Sequence, residues 1–541
     1  MKDLRFAALA LVHTIITIFT DKLIFIFPKD MSRLFVTDYL LCKLIVFIFL
    51  FYFYRSIYTA FIDNNRKDSA VYKTLVCGLP YLVPIIVAAL IKMPSGYVTN
   101  DEYNILSWAL NFEHNTWFSY LTVYYYICSL MLIPVKMGPV FMKLILEYIT
   151  AGYTIYRIRD YFDLLKVKRP GNRECISLAG GRINIPFYFF GYLIFLLYPF
   201  IAYITSAHRL PVYFLIYLMM IVTILFDMLK LRPFELKRHI WLLLAGAVLT
   251  QWRTEGIYLF ILIPLLMFIA YPNLRISYNR ETGRSAFGNV NGICAILIYL
   301  VLQILIWIPQ NASYGAELSS AADDRMKPFY GYTITNMFRN GLDEEKNSKD
   351  LAIVDRYLSI DAIKAINEHY GDINYEDVLI LYADGFVGVR EEATAEDFFG
   401  YADALKRIFV NNPDVFIRTR AGAFNYAARP YHVSFDGLSA GALKGFIISL
   451  VKTVSYDLYI PLLTALILLI YSLIRRRWFS FLVFGGLMAH WAIVFVLAPA
   501  SYFKYYFPLY AVSYLYLDLL LIQFIYNRVN KGQGEGISFI R

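Results

Sequence analysis

Apolar runs close to the length of a membrane-spanning helix recur along most of this 541-residue chain. Residues 185–203, IPFYFFGYLIFLLYPFIAY, contain no charged side chain, and about 20 such residues cross the hydrocarbon core of a bilayer as a helix. The runs are continuous, whereas the strands of a membrane β-barrel alternate apolar and polar residues. Only 17% of the residues are charged, against about 25% in soluble proteins. The pattern therefore predicts an all-α polytopic membrane protein.

The apolar runs predict about twelve transmembrane helices. Their predicted ranges are 5–27, 34–54, 71–92, 139–157, 186–205, 211–229, 239–253, 255–272, 291–309, 457–474, 479–499 and 506–526. No small-residue cleavage site follows the first run, so we expect an uncleaved span there rather than a signal peptide.

Lysine and arginine decide which ends of these helices face the cytoplasm. They crowd into both termini and into the loops 55–73, 157–185, 230–239, 272–290 and 475–477. Basic loops are retained on the cytoplasmic side, so both termini are predicted to be cytoplasmic. The short loop PKDMSR, with Lys29 and Arg33, departs from this rule because it falls outside.

The first long outer loop, 93–138, contains an apolar stretch that cannot be a full span. If residues 116–134 crossed the membrane, the strongly basic segment 157–173 would be forced outside. We therefore interpret 116–134 as an interfacial or re-entrant helix, rich in the aromatic residues that favour the headgroup level.

An acidic block, 310–447, is predicted to be an extracytoplasmic, mainly helical domain inserted before the last three spans. It carries 21 Asp and Glu against 14 Lys and Arg. Segments 350–371 and 394–424 have helical periodicity, with Pro413 interrupting the second, and 377–385 (DVLILYADG) is a candidate strand. The predicted domains are two N-terminal spans (1–70), a transmembrane core (71–309), this block, and C-terminal spans with a cytoplasmic tail (448–541).

Two adjacent carboxylates, Asp101 and Glu102, stand where the chain leaves its third predicted span. One interpretation is structural: Thr99 and Glu102 have the spacing of a capping box, and acids in a first turn complement the helix dipole. The other is chemical, since a carboxylate can act as a general base. The two are compatible, because one acid can cap the helix while the other takes part in a reaction.

Further ionisable side chains mark the same predicted outer boundary. They are Arg253 and Glu255 in one short turn, His208 and Arg209 in another, and Lys504 between Tyr502 and Tyr505 in a third. Ionisable residues at membrane depth are costly and tend to mark functional sites. The alternative is that each one snorkels to the interface or pairs locally.

Acids and cations at one outer boundary suit transfer of a group that arrives on a lipid phosphate. A carboxylate can deprotonate an acceptor hydroxyl, and cations can hold the phosphate and stabilise it as it leaves. The donor must be membrane-borne, because nucleotide sugars are made in the cytoplasm.

In the order and side of these motifs the chain resembles the GT-C superfamily of polyprenyl-phosphate-sugar glycosyltransferases, which includes protein O-mannosyltransferases and lipid A aminoarabinose transferases. The similarity rests on Asp101-Glu102 after an in-to-out span, the amphipathic outer loop 103–138, the turn Arg253-Thr-Glu255, and YFKYYFP around Lys504. It covers roughly 71–310 and, more loosely, 457–526. Many relatives carry Arg where this chain has Lys504, and Lys lacks the bidentate fork of Arg.

This resemblance implies a glycosyltransferase acting at the outer face of the plasma membrane. The acceptor would be a cell-surface polysaccharide, lipid or protein. Asp101 would be the general base, with Glu102 as an alternate base. Lys504, Arg253 and Arg209 would face the donor phosphate. Glu255, His208, Tyr502 and Tyr505 would support them. A divalent cation, Mg or Mn, is left open, with Asp101 and Glu102 as its ligands.

Two other functions are compatible with the sequence. A polysaccharide polymerase or ligase acting on a diphosphate-linked glycan would concentrate its function in outer-loop arginines, here Arg418, Arg420 and Arg429. A polysaccharide or lipid transporter would favour internal repeats and helices broken at mid-bilayer, and the sequence shows no repeat. Nothing in any of the three functions calls for a nucleic-acid partner.

The five cysteines, at 42, 77, 128, 175 and 294, are scattered along the chain without CxxC spacing. Cysteine commonly serves as a small buried apolar residue, and we expect packing to be its purpose here.

Overall fold

The structure, a computed structural model, is built almost entirely of helices. It describes residues 2–29, 32–63, 66–92, 100–114, 118–178, 183–204, 206–207, 209–274, 290–314, 318–369, 388–428, 456–498, 501–531 and 536–541. The helices up to the acidic block are α1 Lys2–Ile24, α2 Arg33–Ile57, α3 Ala70–Gly78, α4 Leu82–Lys92, α5 Asn100–Asn111, α6 Tyr120–Leu132, α7 Gly138–Lys168, α8 Leu193–Leu196, α9 Tyr198–Ala202, α10 Arg209–Leu229, α11 Leu236–Trp252, α12 Leu259–Ala270 and α13 Val290–Tyr314. The remaining helices are α14 Leu318–Arg339, α15 Ser348–Tyr357, α16 Ile360–His369, α17 Ala395–Asn411, α18 Pro413–Ala428, α19 Tyr459–Ile474, α20 Trp478–Leu497 and α21 Phe507–Val529.

Within the described ranges, seven helical segments are long and apolar enough to cross a membrane. They are Asp3–Ile24, Phe35–Ile62, Ala70–Leu90, Arg209–Leu229, Gly292–Asn311, Trp478–Leu497 and Phe503–Val529. Large apolar side chains such as Leu23 and Leu90 are 83% and 75% exposed on them, a surface that water would not tolerate in such number but lipid would. The prediction of an all-α membrane protein is confirmed at this level.

Several predicted spans differ in detail from the observed helices. The span predicted at 186–205 is not one helix but a 3₁₀ segment, Phe187–Tyr192, followed by α8 and α9. Leu197 between the two short helices is extended, with φ −63° and ψ 139°, because Pro199 is tolerated only in the first turn of a new helix. The span predicted at 139–157 is too short, since α7 runs for 31 residues.

A small β-hairpin, which the sequence did not predict, follows α7. Its strands, β1 Cys175–Leu178 and β2 Ile183–Pro186, pair antiparallel, with Cys175 opposite Pro186.

The chain forms two compact units. The first comprises Met1–Gly315, Pro461–Met488 and Phe507–Arg541, and the second Ala316–Ile460 and Ala489–Tyr506. The four predicted domains follow topology and function rather than compactness, and they stay a prediction.

In the first unit α10 is the central helix. In its most apolar stretch 78% of residues are buried, and it packs against α7, α11, α12 and α21. At its far end the carboxylate of Asp227 is fully buried and accepts contacts from three other elements: Arg157 at 2.8 Å, His239 at 3.1 Å and Tyr271 at 3.0 Å. A buried charge is tolerated only when it is paired and hydrogen-bonded, so this carboxylate fixes α7, α11 and the end of α12 around α10.

The apolar stretch predicted to be interfacial or re-entrant contains α6, which has 13 residues and a length of about 20 Å, too short to cross a bilayer. Every residue of α6 is buried or half-buried, because α1, α2, α5, α7 and α11 pack around it. A helix lying at the lipid surface would expose one face, so the packing favours the re-entrant alternative.

The second unit has its own apolar core, formed by α14 to α18 around side chains such as Tyr332, Val354 and Leu405. The predicted helical segments are confirmed: 350–371 contains α15 and α16, and Pro413 starts a new helix. Thr394 and Asp397 form a capping box at the start of α17, and their hydrogen bonds lower the pKa of the Asp397 carboxyl. The candidate strand 377–385 lies outside the described residues.

Candidate active site

The described residues of segment 203–210, which runs from the end of α9 into the first turn of α10, are contacted by several neighbouring elements. The backbone carbonyls of the segment accept hydrogen bonds from three elements: Tyr203 from Lys143 at 2.5 Å, Ala207 from Tyr126 at 3.3 Å, and Arg209 from the Trp252 indole at 3.1 Å. This segment therefore joins α6, α7 and α11 at the start of the central helix.

Glu102 is fixed by the same segment. It lies in the first turn of α5 and is fully buried, and its Oε1 accepts a hydrogen bond from the Ser206 hydroxyl at 2.8 Å. A carboxylate without exposed surface cannot meet a substrate unless the structure opens. The geometry thus favours a positioning role for Glu102 over its predicted role as an alternate base.

Asp101 precedes Glu102 in the same turn but is half-buried rather than buried. Neighbouring residues of an α-helix point about 100° apart, so the two carboxylates occupy different environments although they are adjacent in sequence. The helix that the capping interpretation predicted is confirmed as α5, with both acids in its first turn. Thr99, the predicted cap, lies outside the described residues.

A buried ion pair, Lys143 with Glu147, lies next to Glu102. Lys143 Nζ is 2.6 Å from Glu147 Oε2, and neither side chain has any exposed surface. Lys143 also interacts electrostatically with Glu102. The Tyr81 hydroxyl donates to Glu147 Oε1 at 3.3 Å. Sequence reasoning missed this pair. The available signal was two opposite charges four residues apart inside a predicted span, where charges mark function or structure rather than chance.

Arg209 reaches the same region through its guanidinium. Its Cζ lies 3.8 Å from the centroid of the Phe118 ring, and Phe118 in turn contacts Trp108 of α5 with ring centroids 5.7 Å apart. A guanidinium over an aromatic face is stabilised by the ring quadrupole. The neighbouring His208, predicted as a supporting residue, lies outside the described residues.

Arg253 and Glu255 pair with each other. The Arg253 Nε donates to Glu255 Oε2 at 2.9 Å, and Nη2 contacts Oε1, in the turn that connects α11 with the 3₁₀ segment Thr254–Tyr258. This is the local pairing that the structural alternative predicted. Arg253 directly follows Trp252, whose indole N–H donates to the backbone carbonyl of Arg209. Arg209 at the start of α10 and Arg253 at the end of α11 are thus carried by neighbouring elements.

Lys504 belongs to the second unit. It lies in the 3₁₀ turn Phe503–Tyr506, which leads directly into α21, and its Nζ is 4.6 Å from the centroid of the Tyr502 ring. Tyr502 and Tyr505 contact each other with ring centroids 5.7 Å apart. The tyrosines predicted to frame the lysine therefore lie beside it. A meeting of Lys504 with the acids of α5 stays a prediction.

The arginines that would support a polymerase have other partners in the second unit. Arg420 is buried, and its guanidinium donates to the carbonyls of Phe495 and Ala498 at 2.7 Å each, at the C-terminal end of α20. Arg418 is exposed and lies 3.6 Å from Asp414. Arg429 lies outside the described residues.

No group of three or more His, Cys, Asp or Glu side chains is placed to hold a metal ion in the part of the chain that the structure describes. Magnesium commonly uses only one or two carboxylates together with substrate phosphates, so a cation at Asp101 and Glu102 stays a prediction.

The fold and its apolar helices define an all-α membrane protein. Comparison of the chain with known protein families, with curated proteins and with solved structures gives no match.

Proposed function

We propose that this protein is a glycosyltransferase that moves a sugar from a polyprenyl-phosphate donor to an acceptor at the outer face of the plasma membrane, and that it belongs to the GT-C superfamily. The observation that carries the proposal is the convergence on segment 203–210: Glu102 through Ser206, and Arg209 through Phe118 and Trp252. One of the two acids, Glu102, and Arg209 are thus held at the start of the central helix.

The proposed topology has twelve spans with both termini in the cytoplasm. The seven long apolar helices supply most of them. The remainder are α7, α11, α12, α19 and the broken segment Phe187–Ala202, three of which contain shorter apolar helices. In this arrangement α5, segment 203–210 and the turn at Arg253 all fall on the outer side.

In the proposed reaction the acceptor hydroxyl gives its proton to the Asp101 carboxylate as its oxygen attacks the anomeric carbon. The bond between that carbon and the phosphate oxygen breaks, and the polyprenyl phosphate leaves with the electron pair. Attack in line on a β-linked donor inverts the anomeric centre. Arg209, Arg253 and Lys504 are assigned to the developing phosphate charge, because cations stabilise a leaving anion most strongly where water is excluded.

Glu102 is assigned a positioning role. Its carboxylate accepts a hydrogen bond from Ser206 and interacts electrostatically with Lys143. It therefore anchors the first turn of α5. Because Asp101 is its immediate neighbour, the orientation of the proposed base depends on this buried anchor.

Of the arginines named for the polymerase alternative, Arg420 donates to the carbonyls at the end of α20, whereas Arg418 is exposed. Diphosphate-linked and monophosphate-linked donors, offered separately to the purified protein, distinguish the two reactions. The transporter alternative predicts movement of a labelled lipid across a vesicle without transfer of its sugar.

The test of the proposed function is Asp101→Asn in proteoliposomes supplied with a polyprenyl-phosphate sugar. Loss of a general base lowers the rate by about 10²- to 10⁴-fold. The matched control is Asp163→Asn, which removes a 68% exposed carboxylate near the C-terminal end of α7. Transfer at the normal rate by the Asp101 variant overturns the assignment of the base.

A further inference from the structure

Two of the five cysteines meet where α6 packs against α2. The Cys128 thiol lies 3.9 Å from the carbonyl oxygen of Cys42, and the two thiols also interact with each other. Cys42 is fully buried and Cys128 is half-buried. They are 86 residues apart in sequence, so the fold alone brings them together.

The same seam is fixed one helical turn earlier by a polar cluster. The Tyr124 hydroxyl donates to Asp38 Oδ1 at 2.5 Å, and Asp38 Oδ2 lies 2.8 Å from His114 Nε2. Asp38 precedes Cys42 by four residues on α2, as Tyr124 precedes Cys128 on α6. The two helices therefore run in the same general direction here, and the contact at 38 and 124 sets the register that places the cysteines opposite each other.

We propose that Cys42 and Cys128 form an oxidation site, in which a disulfide joins the N-terminal helix pair to the first outer loop. With hydrogen peroxide as the oxidant, the half-buried Cys128 reacts first and becomes a sulfenic acid with release of one water. The Cys42 sulfur then attacks the Cys128 sulfur, and the S–O bond of the sulfenic acid breaks. The departing hydroxyl takes the Cys42 thiol proton and leaves as the second water. Two thiols and one peroxide thus give one disulfide and two waters.

The location suits this chemistry. Arg33, the first residue of α2, lies on the outer side in the predicted topology. Cys42 follows it by nine residues, or about 13.5 Å along the helix. Disulfides persist in extracytoplasmic compartments and are rare in the cytoplasm. The polar cluster of Asp38, His114 and Tyr124 lies between the cysteines and that side, and it offers a small oxidant a less apolar path than the surrounding helices.

The experiment uses the purified full-length protein in detergent. The protein is reduced, freed of reductant, treated with hydrogen peroxide, blocked with iodoacetamide and digested without reduction. The expected result is a linked peptide containing Cys42 and Cys128, and an intact mass lower by two hydrogen atoms. Alkylation of both cysteines after peroxide treatment overturns the proposal, and so does a link from either one to a third cysteine.

Variants sharpen this test. A protein with Cys77, Cys175 and Cys294 replaced by Ser retains the pair and is expected to form the same link and to melt at a higher apparent temperature after oxidation. Cys42→Ser and Cys128→Ser are expected to lose both effects. An equal rise in melting temperature in the single variants contradicts the proposal, because neither can form the link.

Discussion

The Ser206 hydroxyl donates to Oε1 of Glu102 at 2.8 Å, and the accepting carboxylate has no exposed surface. Asp101, its neighbour, is half-buried. Two acids that look equivalent in the sequence therefore differ in what they can do. One is fixed inside the protein, and the other is the candidate to meet a substrate.

Substitution of the two acids is expected to separate stability from activity. Glu102→Gln keeps an oxygen for the Ser206 hydrogen bond but places an amide NH2 where a fully buried carboxylate was. Lys143 keeps Glu147 as its ion-pair partner, so we expect the cost of a buried donor without a partner, about 1–3 kcal/mol. Asp101→Asn is expected to lower the apparent melting temperature less, and to lower transfer more. Thermal melting and transfer assays on both variants measure this. An Asp101 variant that is the less stable of the two contradicts the assignment.

The Lys143–Glu147 pair is expected to couple strongly. Lys143→Met leaves Glu147 as an unpaired charge with no exposed surface, and Glu147→Leu leaves Lys143 with Glu102 as its remaining anion. Breaking a buried pair costs about 3–5 kcal/mol, whereas apolar replacement of both partners is often near neutral.

The double variant is therefore expected to be less destabilised than the sum of the single variants, by about 1–3 kcal/mol. Unfolding of the four proteins in a denaturant series measures the difference. Simple additivity of the two losses would show that the partners do not depend on each other.

The apolar runs predicted the helical membrane fold, because the bilayer requires a helix length and an apolar composition that can be read directly from the sequence. The sidedness inferred from the loop charges stays a prediction. The break at Leu197 and the pair Cys42–Cys128 were not predicted. The first depends on how Pro199 starts a new helix, and the second on helix packing between distant segments. The candidate site was predicted in part. Glu102 and Arg209 were both chosen as site residues, and Glu102 contacts the segment that carries Arg209. The full burial of Glu102 was not predicted, because its partner Ser206 lies 104 residues further along the chain.

The Asp227 cluster is expected to be essential for folding rather than for transfer. Asp227→Asn leaves Arg157, whose side chain is 3% exposed, without its carboxylate, and removing one partner of a buried pair costs about 3–5 kcal/mol. We expect little folded protein in membranes from this variant.

Asp160→Asn is the comparison, because Asp160 pairs with Lys230 and Arg232 but is 18% exposed. Arg232 is partly exposed and keeps Asp227 as a second carboxylate at 3.5 Å, so a smaller loss is expected. Size-exclusion profiles of the detergent-solubilised variants measure the folded fraction. Equal loss in both would argue that burial of Asp227 is not what makes it critical.

Lys504 is expected to act on the donor phosphate. If Lys504 faces the donor phosphate, Lys504→Gln raises KM for the polyprenyl-phosphate sugar, because a charge-assisted hydrogen bond worth about 1.5–3 kcal/mol is lost. That corresponds to roughly a ten- to hundredfold rise.

Lys504→Arg keeps the charge and is expected to retain most of the affinity, or to improve it through bidentate contact. Lys364→Gln is the matched control, since Lys364 is an exposed lysine of the same unit whose pKa is raised by its hydrogen bond to Glu344. Transfer kinetics at several donor concentrations separate KM from kcat. An unchanged KM in the Gln variant removes Lys504 from the donor site, and a fall in stability alone would return it to the structural role of packing on Tyr502.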